Sequence, residues 1–84
     1  MYNMEVLIYN KSEVNGDPIE TGMDGETIEI LKNDLNGIII DAVELFDKES
    51  GSYFVEVTFT QNGEYVDSDE FDCFVNLKDR IIMY

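Results

Sequence analysis

The sequence predicts an α+β fold in which a three- to four-stranded antiparallel sheet has one helix packed on a face. Two patterns support this fold. Apolar and polar residues alternate over residues 53–59, which is typical of a half-buried strand. Ile28, Leu31 and Leu35 are spaced by three and four residues, which places them on one stripe of a helix. With 84 residues, the chain is expected to form a single domain, residues 1–84, around one modest core.

The first elements are predicted to be a strand and a long loop. Over residues 4–9, Met4, Val6 and Ile8 alternate with other residues and share one face, which indicates a strand. Residues 10–24 contain several turn-forming glycines and asparagines and a proline, so we expect an irregular loop there. Loops of that length are often functional.

Residues 24–36 are compatible with two structures. In the first, Asp24 caps a helix that ends at Gly37 in a left-handed conformation. In the second, residues 27–31 form one arm of a hairpin that turns at Gly37. We favour the helix.

Residues 38–46 are ambiguous as well, because the helical stripe continues through Ala42, Val43 and Phe46. Residues 47–51 have the composition of a type I turn closed by a glycine. A hairpin needs an arm before its turn, so we predict that residues 38–46 are a strand paired with the strand at 53–59. This register buries Tyr53, Val55, Val57 and Phe59 and directs Glu56 and Thr58 outward or to an edge.

The last third of the chain begins with a second turn signal, Gln61-Asn62-Gly63. We expect a further strand to start at residues 64–66. Residues 68–76 are compatible with a short helix capped by Ser68 or with a strand, and the sequence does not decide between them. Residues 81–84 are predicted to be a closing strand or an apolar tail.

The charge of the chain is its most unusual property. Nineteen acidic residues against five basic ones give a net charge of −14, whereas solubility requires about 2–8 in a small domain. Excess like charge destabilises the compact state, so we infer that the charge has a function. The apolar runs are too short for a bilayer and no signal sequence is evident. We therefore expect a cytoplasmic protein that binds neither membranes nor, because of its sign, nucleic acid directly.

The residue types argue against catalysis and metal chemistry. The chain has no histidine and a single cysteine, Cys73, so the commonest general base and the usual zinc or copper ligand sets are missing. The residues from Asp67 onward do not match the calcium-binding loop of an EF-hand. Phe71 and Lys78 occupy positions of that loop that need oxygen ligands. We expect no enzyme activity, no catalytic residue, no metal ligand and no cofactor, and a buried structural role for Cys73.

Two runs of acidic residues are candidate binding surfaces. The denser run holds five carboxylates in nine residues and includes two aromatic side chains that can contact arginine. The predicted partner-binding residues are Glu64, Tyr65, Asp67, Asp69, Glu70 and Asp72, with Phe71 beside them. The second run lies in the predicted loop and comprises Glu13, Asp17, Glu20, Asp24 and Glu26. The alternative is that the charged side chains of the denser run only keep an exposed edge strand soluble and prevent aggregation.

In size and charge the chain resembles the small DNA-mimicking inhibitors that phages make against bacterial defence, the anti-CRISPR and anti-restriction proteins. The resemblance covers the whole chain at the level of the class, an acidic α+β domain without histidine chemistry. It implies a protein that occupies the basic nucleic-acid groove of a CRISPR effector or another nuclease in the host cytoplasm. The alternatives are an immunity protein against a nuclease toxin and a calcium-binding or structural interaction domain.

Overall fold

The computed structural model describes residues 1–13, 15–46 and 48–84. It has one helix and a five-stranded curled antiparallel sheet with the strand order β2-β1-β3-β4-β5. The elements are β1 (Tyr2–Asn10), β2 (Ile19–Gly25), α1 (Ile28–Leu45), β3 (Gly51–Gln61), β4 (Glu64–Asn76) and β5 (Ile81–Met83). The predicted α+β class with one helix is confirmed, and the sheet is larger than the three to four strands predicted.

The additional strand is β2, which occupies part of the predicted loop at residues 10–24. It pairs with β1 from Ile8 opposite Ile19 to Tyr2 opposite Gly25. Gly22 resembles a turn residue in the sequence, but it has a packing role. A Cβ atom on Gly22 would lie 2.3 Å from the carbonyl oxygen of Met4, so the two strands can approach only because the side chain is missing.

The helix begins later and ends later than predicted. Thr27 is its N-cap, and the Thr27 hydroxyl accepts a hydrogen bond from the Ile30 amide at 3.2 Å. Asp24, the predicted cap, belongs to β2. The helix continues through Gly37, and the predicted strand at residues 38–46 is wrong because residues 38–45 are helical. The 3.6-residue spacing of the buried side chains prevails over the local turn signal.

The predicted hairpin at residues 47–51 is also wrong, because this segment connects α1 to β3. Asp47 lies outside the described residues. The partners of β3 are β1 and β4, both antiparallel. The helix covers one face of the sheet and contacts β2, β1 and β5.

The core lies between α1 and the sheet. The predicted burial of Tyr53, Val55, Val57 and Phe59 is confirmed, and Glu56 and Thr58 lie on the other face, partly exposed. The remaining core residues are Met4, Val6, Ile8, Ile19, Leu31, Ile39, Ile40, Ala42, Val43, Cys73 and Val75.

The C-terminal elements resolve the alternatives left by the sequence. Asn62 and Gly63 both have positive φ angles, 54° and 81°, as a two-residue hairpin turn requires. Residues 68–76 are strand, within the 13-residue β4, and β5 is the predicted closing strand. Arg80, between β4 and β5, forms ion pairs with Asp41 and Glu44 of the helix.

Among the described residues, no helix is both long and apolar enough to cross a bilayer.

Candidate acidic interface

The sheet has a helix-covered face and an opposite face, which we call the open face. Residues directly opposite each other on neighbouring strands share a face, so the register defines its members. One row crosses the open face from β2 to β4 through Glu20, Leu7, Glu56 and Glu70. The carboxylates of the open face are Glu5, Glu20, Asp24, Glu56, Glu70 and Asp72, five of them exposed and Glu56 partly so.

The predicted binding residues all lie on β4 and are all exposed. Strand alternation distributes them over two faces. Glu70 and Asp72 lie opposite Glu56 and Phe54, on the open face. Asp67 and Asp69 pair with buried Phe59 and Val57, on the helix-covered face. Near the turn, Glu64 and Tyr65 are the partners of Gln61 and Thr60.

The carboxylates of β4 that point to the helix-covered face also contact the backbone. Asp67 Oδ1 accepts a hydrogen bond from the Ser68 amide, and Asp69 Oδ1 accepts one from the Glu70 amide, each at 2.9 Å. Tyr65 and Ser68 share a hydrogen bond between their hydroxyls at 3.0 Å. These contacts hold the first half of β4 in an ordered array of side chains.

Little positive charge compensates this array. Within the described residues, no basic side chain lies within ion-pair distance of Glu64, Asp67, Asp69 or Glu70. Asp72 pairs with Lys11 at 3.0 Å, but both side chains are about half exposed or more, at 67% and 47%. Such exposed pairs contribute little free energy. The β4 carboxylates therefore produce a strong local negative potential.

An aromatic pair that the sequence did not single out lies within the open face. The rings of Tyr9 and Phe54 are 6.1 Å apart and both are partly exposed. The pKa of the Tyr9 phenol is raised, first by its hydrogen bond to the Glu56 carboxylate, then by desolvation and the charges of Glu56 and Glu20. Aromatic rings beside carboxylates suit a guanidinium group, which can stack and form an ion pair in the same place.

The second acidic run does not form one loop surface. Glu20 and Asp24 belong to β2 and lie on the open face, where Asp24 accepts a hydrogen bond from Asn3 at 2.8 Å. Glu13 instead pairs with Lys48 at 3.0 Å. Asp17 and Glu26 are exposed and lie outside the strands. The sequence did not indicate that Glu20 and Asp24 share one face of the sheet with the acids of β4. This arrangement depends on the pairing register of the strands, which spacing along the chain does not reveal.

Cys73 is buried in β4, as expected from the sequence. Burial is the main cause that raises the pKa of its thiol, and the neighbouring charge of Asp72 raises it further. The side chain therefore stays a neutral, packed thiol at physiological pH.

Among the described residues, no three cysteine, aspartate or glutamate side chains are grouped closely enough to hold a metal ion together. Comparisons with protein families, with curated proteins and with solved structures found no match to this chain.

Proposed function

We propose that this protein is an acidic inhibitor that binds the basic nucleic-acid groove of a defence nuclease, such as a CRISPR effector, in place of DNA or RNA. The observation that supports it most directly is the array of exposed, largely uncompensated carboxylates on β4 and the neighbouring strands of the open face. Nuclease grooves are lined with arginine and lysine, which bind fixed anions of phosphate-like spacing.

The spacing of the carboxylates fits this role. Residues i and i+2 on a strand are about 6.8 Å apart, and neighbouring strands are separated by about 4.8 Å. The first of these distances is comparable to the separation of neighbouring phosphates along a nucleic-acid strand. The pairs Glu70–Asp72 and Asp67–Asp69 have the first spacing on their two faces, and Glu56–Glu70 has the second.

The rigidity of the scaffold adds to the affinity. The carboxylates project from strands that are anchored by the core, so little backbone conformational entropy is lost on binding. A nuclease could not cleave this ligand, because the anions belong to side chains.

The direct test is displacement of labelled DNA from a purified, guide-loaded CRISPR nuclease, followed by fluorescence anisotropy. We expect the protein to displace the DNA and to lose affinity steeply as salt is added. Changing Asp67, Asp69 and Glu70 together to lysine should abolish displacement. A control variant neutralises two exposed carboxylates of the helix, Glu29→Gln with Asp34→Asn, and should retain most of the activity.

The partner is identified by pull-down from a bacterial host extract and mass spectrometry. Recovery of a CRISPR effector supports the proposal, and recovery of a nuclease toxin changes the role to that of an immunity protein. Recovery of neutral metabolic enzymes without any nucleic-acid-binding protein contradicts it. Unchanged affinity in the triple lysine variant would contradict binding through β4 and would leave Glu20 and Asp24 of β2 as the candidate acids of the open face.

A further inference from the structure

The outer edge of β4 is unpaired over most of its length. β5 covers only Phe74, Val75 and Asn76, and within the described part of the chain the sheet ends at β5. Residues 64–73 therefore have a neighbouring strand on one side alone, β3. We call this segment the β4 edge. An exposed edge presents backbone donors and acceptors that can pair with another extended chain.

Two amides identify the backbone groups that face outward. The amides of Ser68 and Glu70 bind the carboxylates of the preceding aspartates rather than a neighbouring strand. Because amides two residues apart point the same way along a strand, the Asp72 amide belongs to the same set. The acceptors, the Asp67 and Asp69 carboxylates, are exposed side chains adjacent in sequence, so carbonyl oxygens of an incoming strand can replace them.

A cleft adjoins the same edge on the helix-covered face. It has a volume of about 350 Å³, and its walls include Lys32, Leu35, Phe59, Asp69, Phe71 and Tyr84. The rings of Phe71 and Tyr84 meet edge to face at 5.3 Å, and the Tyr84 hydroxyl donates a hydrogen bond to Asn36 of the helix. The largely apolar walls suit an apolar side chain from a strand lying along β4.

The negative charge of the β4 edge favours a basic segment as the strand that pairs with it. Residues 64–73 carry five carboxylates and no base. A second copy paired along this edge would place carboxylates against carboxylates, which is unfavourable. A basic segment would instead place its charges beside Glu70 and Asp72 on the open face.

We propose that the β4 edge binds an extended basic segment of the partner by strand addition. Alternate side chains of this segment are arginine or lysine, which contact Glu70 and Asp72. The intervening side chains are apolar and enter the cleft beside Phe71 and Tyr84. The inference rests on the proposed function for the sign of the partner's charge, and it adds the backbone as the means of recognition.

The test uses a synthetic peptide of alternating arginine and valine, about eight residues long, which matches the length of a typical strand. The readout is amide hydrogen exchange by NMR. We expect the peptide to slow exchange at Ser68, Glu70 and Asp72 by about tenfold or more, with no comparable change along β2. Protection of β2 in place of β4, or of neither edge, would overturn the proposal.

Two peptide controls separate backbone pairing from charge. A peptide with glutamate in place of arginine should not bind. A peptide N-methylated at alternate residues should lose binding when the methyl groups fall on the amides that face β4, and should keep it in the other register. Equal binding of both methylated peptides would show that charge alone holds the peptide, and would overturn strand addition.

A variant of the protein provides an independent test. Ser68→Pro removes an outward amide without removing a bond to β3, a position at which edge strands accept proline. Ser68→Ala keeps the amide and is the matched control. We expect the proline variant to keep the circular dichroism spectrum and to lose the peptide, whereas the alanine variant keeps both. A folded proline variant that binds as tightly as wild type contradicts the proposal.

The same variants distinguish this inference from the proposed function. If Ser68→Pro still displaces DNA from the nuclease while the triple lysine variant does not, strand addition is wrong and groove binding stands. If neither variant changes displacement, the proposed site fails altogether. A concentration-dependent dimer in analytical ultracentrifugation that Ser68→Pro abolishes would identify a second copy as the occupant and overturn the basic partner.

Discussion

Glu56 on β3 and Glu70 on β4 lie directly opposite each other on the open face. Like charges in this position destabilise a sheet, and within the described residues neither carboxylate has an ion-pair partner. Binding a cation between them would relieve the repulsion. A pair that lowers the stability of the isolated protein therefore becomes favourable in a complex.

The first prediction concerns this pair. Glu70→Gln should raise the melting temperature by about 2–4 °C, because it removes a like-charge pair across two strands. Glu29→Gln removes one charge from the first turn of the helix, where a negative charge is favourable, and should give no such gain. Thermal unfolding followed by circular dichroism measures both variants. A lower melting temperature for Glu70→Gln would show that the carboxylate is stabilising.

The second prediction contrasts two glycines. Gly22→Ala should destabilise the protein by about 2–3 kcal/mol, because a Cβ atom would clash with the Met4 carbonyl oxygen at 2.3 Å. Gly37→Ala should stabilise it by about 0.5–1 kcal/mol, since the residue is mid-helix with no atom within 4 Å of a new Cβ. Urea titration gives both values. Equal effects of the two substitutions would contradict the register of β1 and β2.

The third prediction concerns alkaline pH. The pKa of Tyr53 is raised above 10.0, first by burial and then by the charges of Glu13 and Glu49. The folded protein therefore holds the phenol proton more tightly than the unfolded chain does. This contribution is fully present below pH 10.0 and is lost as the pH rises through the folded-state pKa. Melting temperatures should fall in that range.

Tyr53→Phe is the matched variant for the alkaline transition. It should reduce the fall above pH 10.0, because the group that titrates is gone. At neutral pH it should cost about 1 kcal/mol, since the Tyr53 hydroxyl donates a hydrogen bond to the Glu49 carbonyl oxygen at 2.6 Å. An unchanged alkaline profile would assign the effect to another group.

The fourth prediction separates screening from specific ion binding. Sodium chloride should raise the melting temperature, because it screens the repulsion within a chain of net charge −14. Calcium chloride at equal ionic strength should give no larger rise. A large additional stabilisation by millimolar calcium would indicate a specific site through linkage and would favour the calcium-binding alternative over the groove inhibitor.

The sequence predicted those elements whose local pattern and tertiary environment agree. The strand around Val55 and Val57 has strict alternation, and one of its faces is the core, so its burial followed from spacing alone. The second half of α1 was missed because the turn-like residues before Gly51 outweighed a helical stripe that includes Ala42 and Val43.

The rest depends on pairing between distant residues. β2 was missed because Gly22 suggests a turn unless its proximity to Met4 is known. The open face was missed for the same reason, since only the register brings Glu20 and Glu70 into one row. The sequence placed the β4 acids correctly on an exposed segment. It could not show that they lie on two faces of the sheet, because it left open whether residues 68–76 are helix or strand.

The position of β1 beside β3 has a consequence for biosynthesis. Tyr2 pairs with Gln61 and Asn10 pairs with Tyr53, so the central ladder can close only after most of the chain has left the ribosome. Protein synthesis adds about 5–20 residues per second. For several seconds the nascent chain contains β1 without β3, its neighbouring strand in the folded sheet. Such an unpaired strand is prone to aggregation. We expect repulsion between neighbouring nascent chains of such high negative charge to keep them apart during this interval.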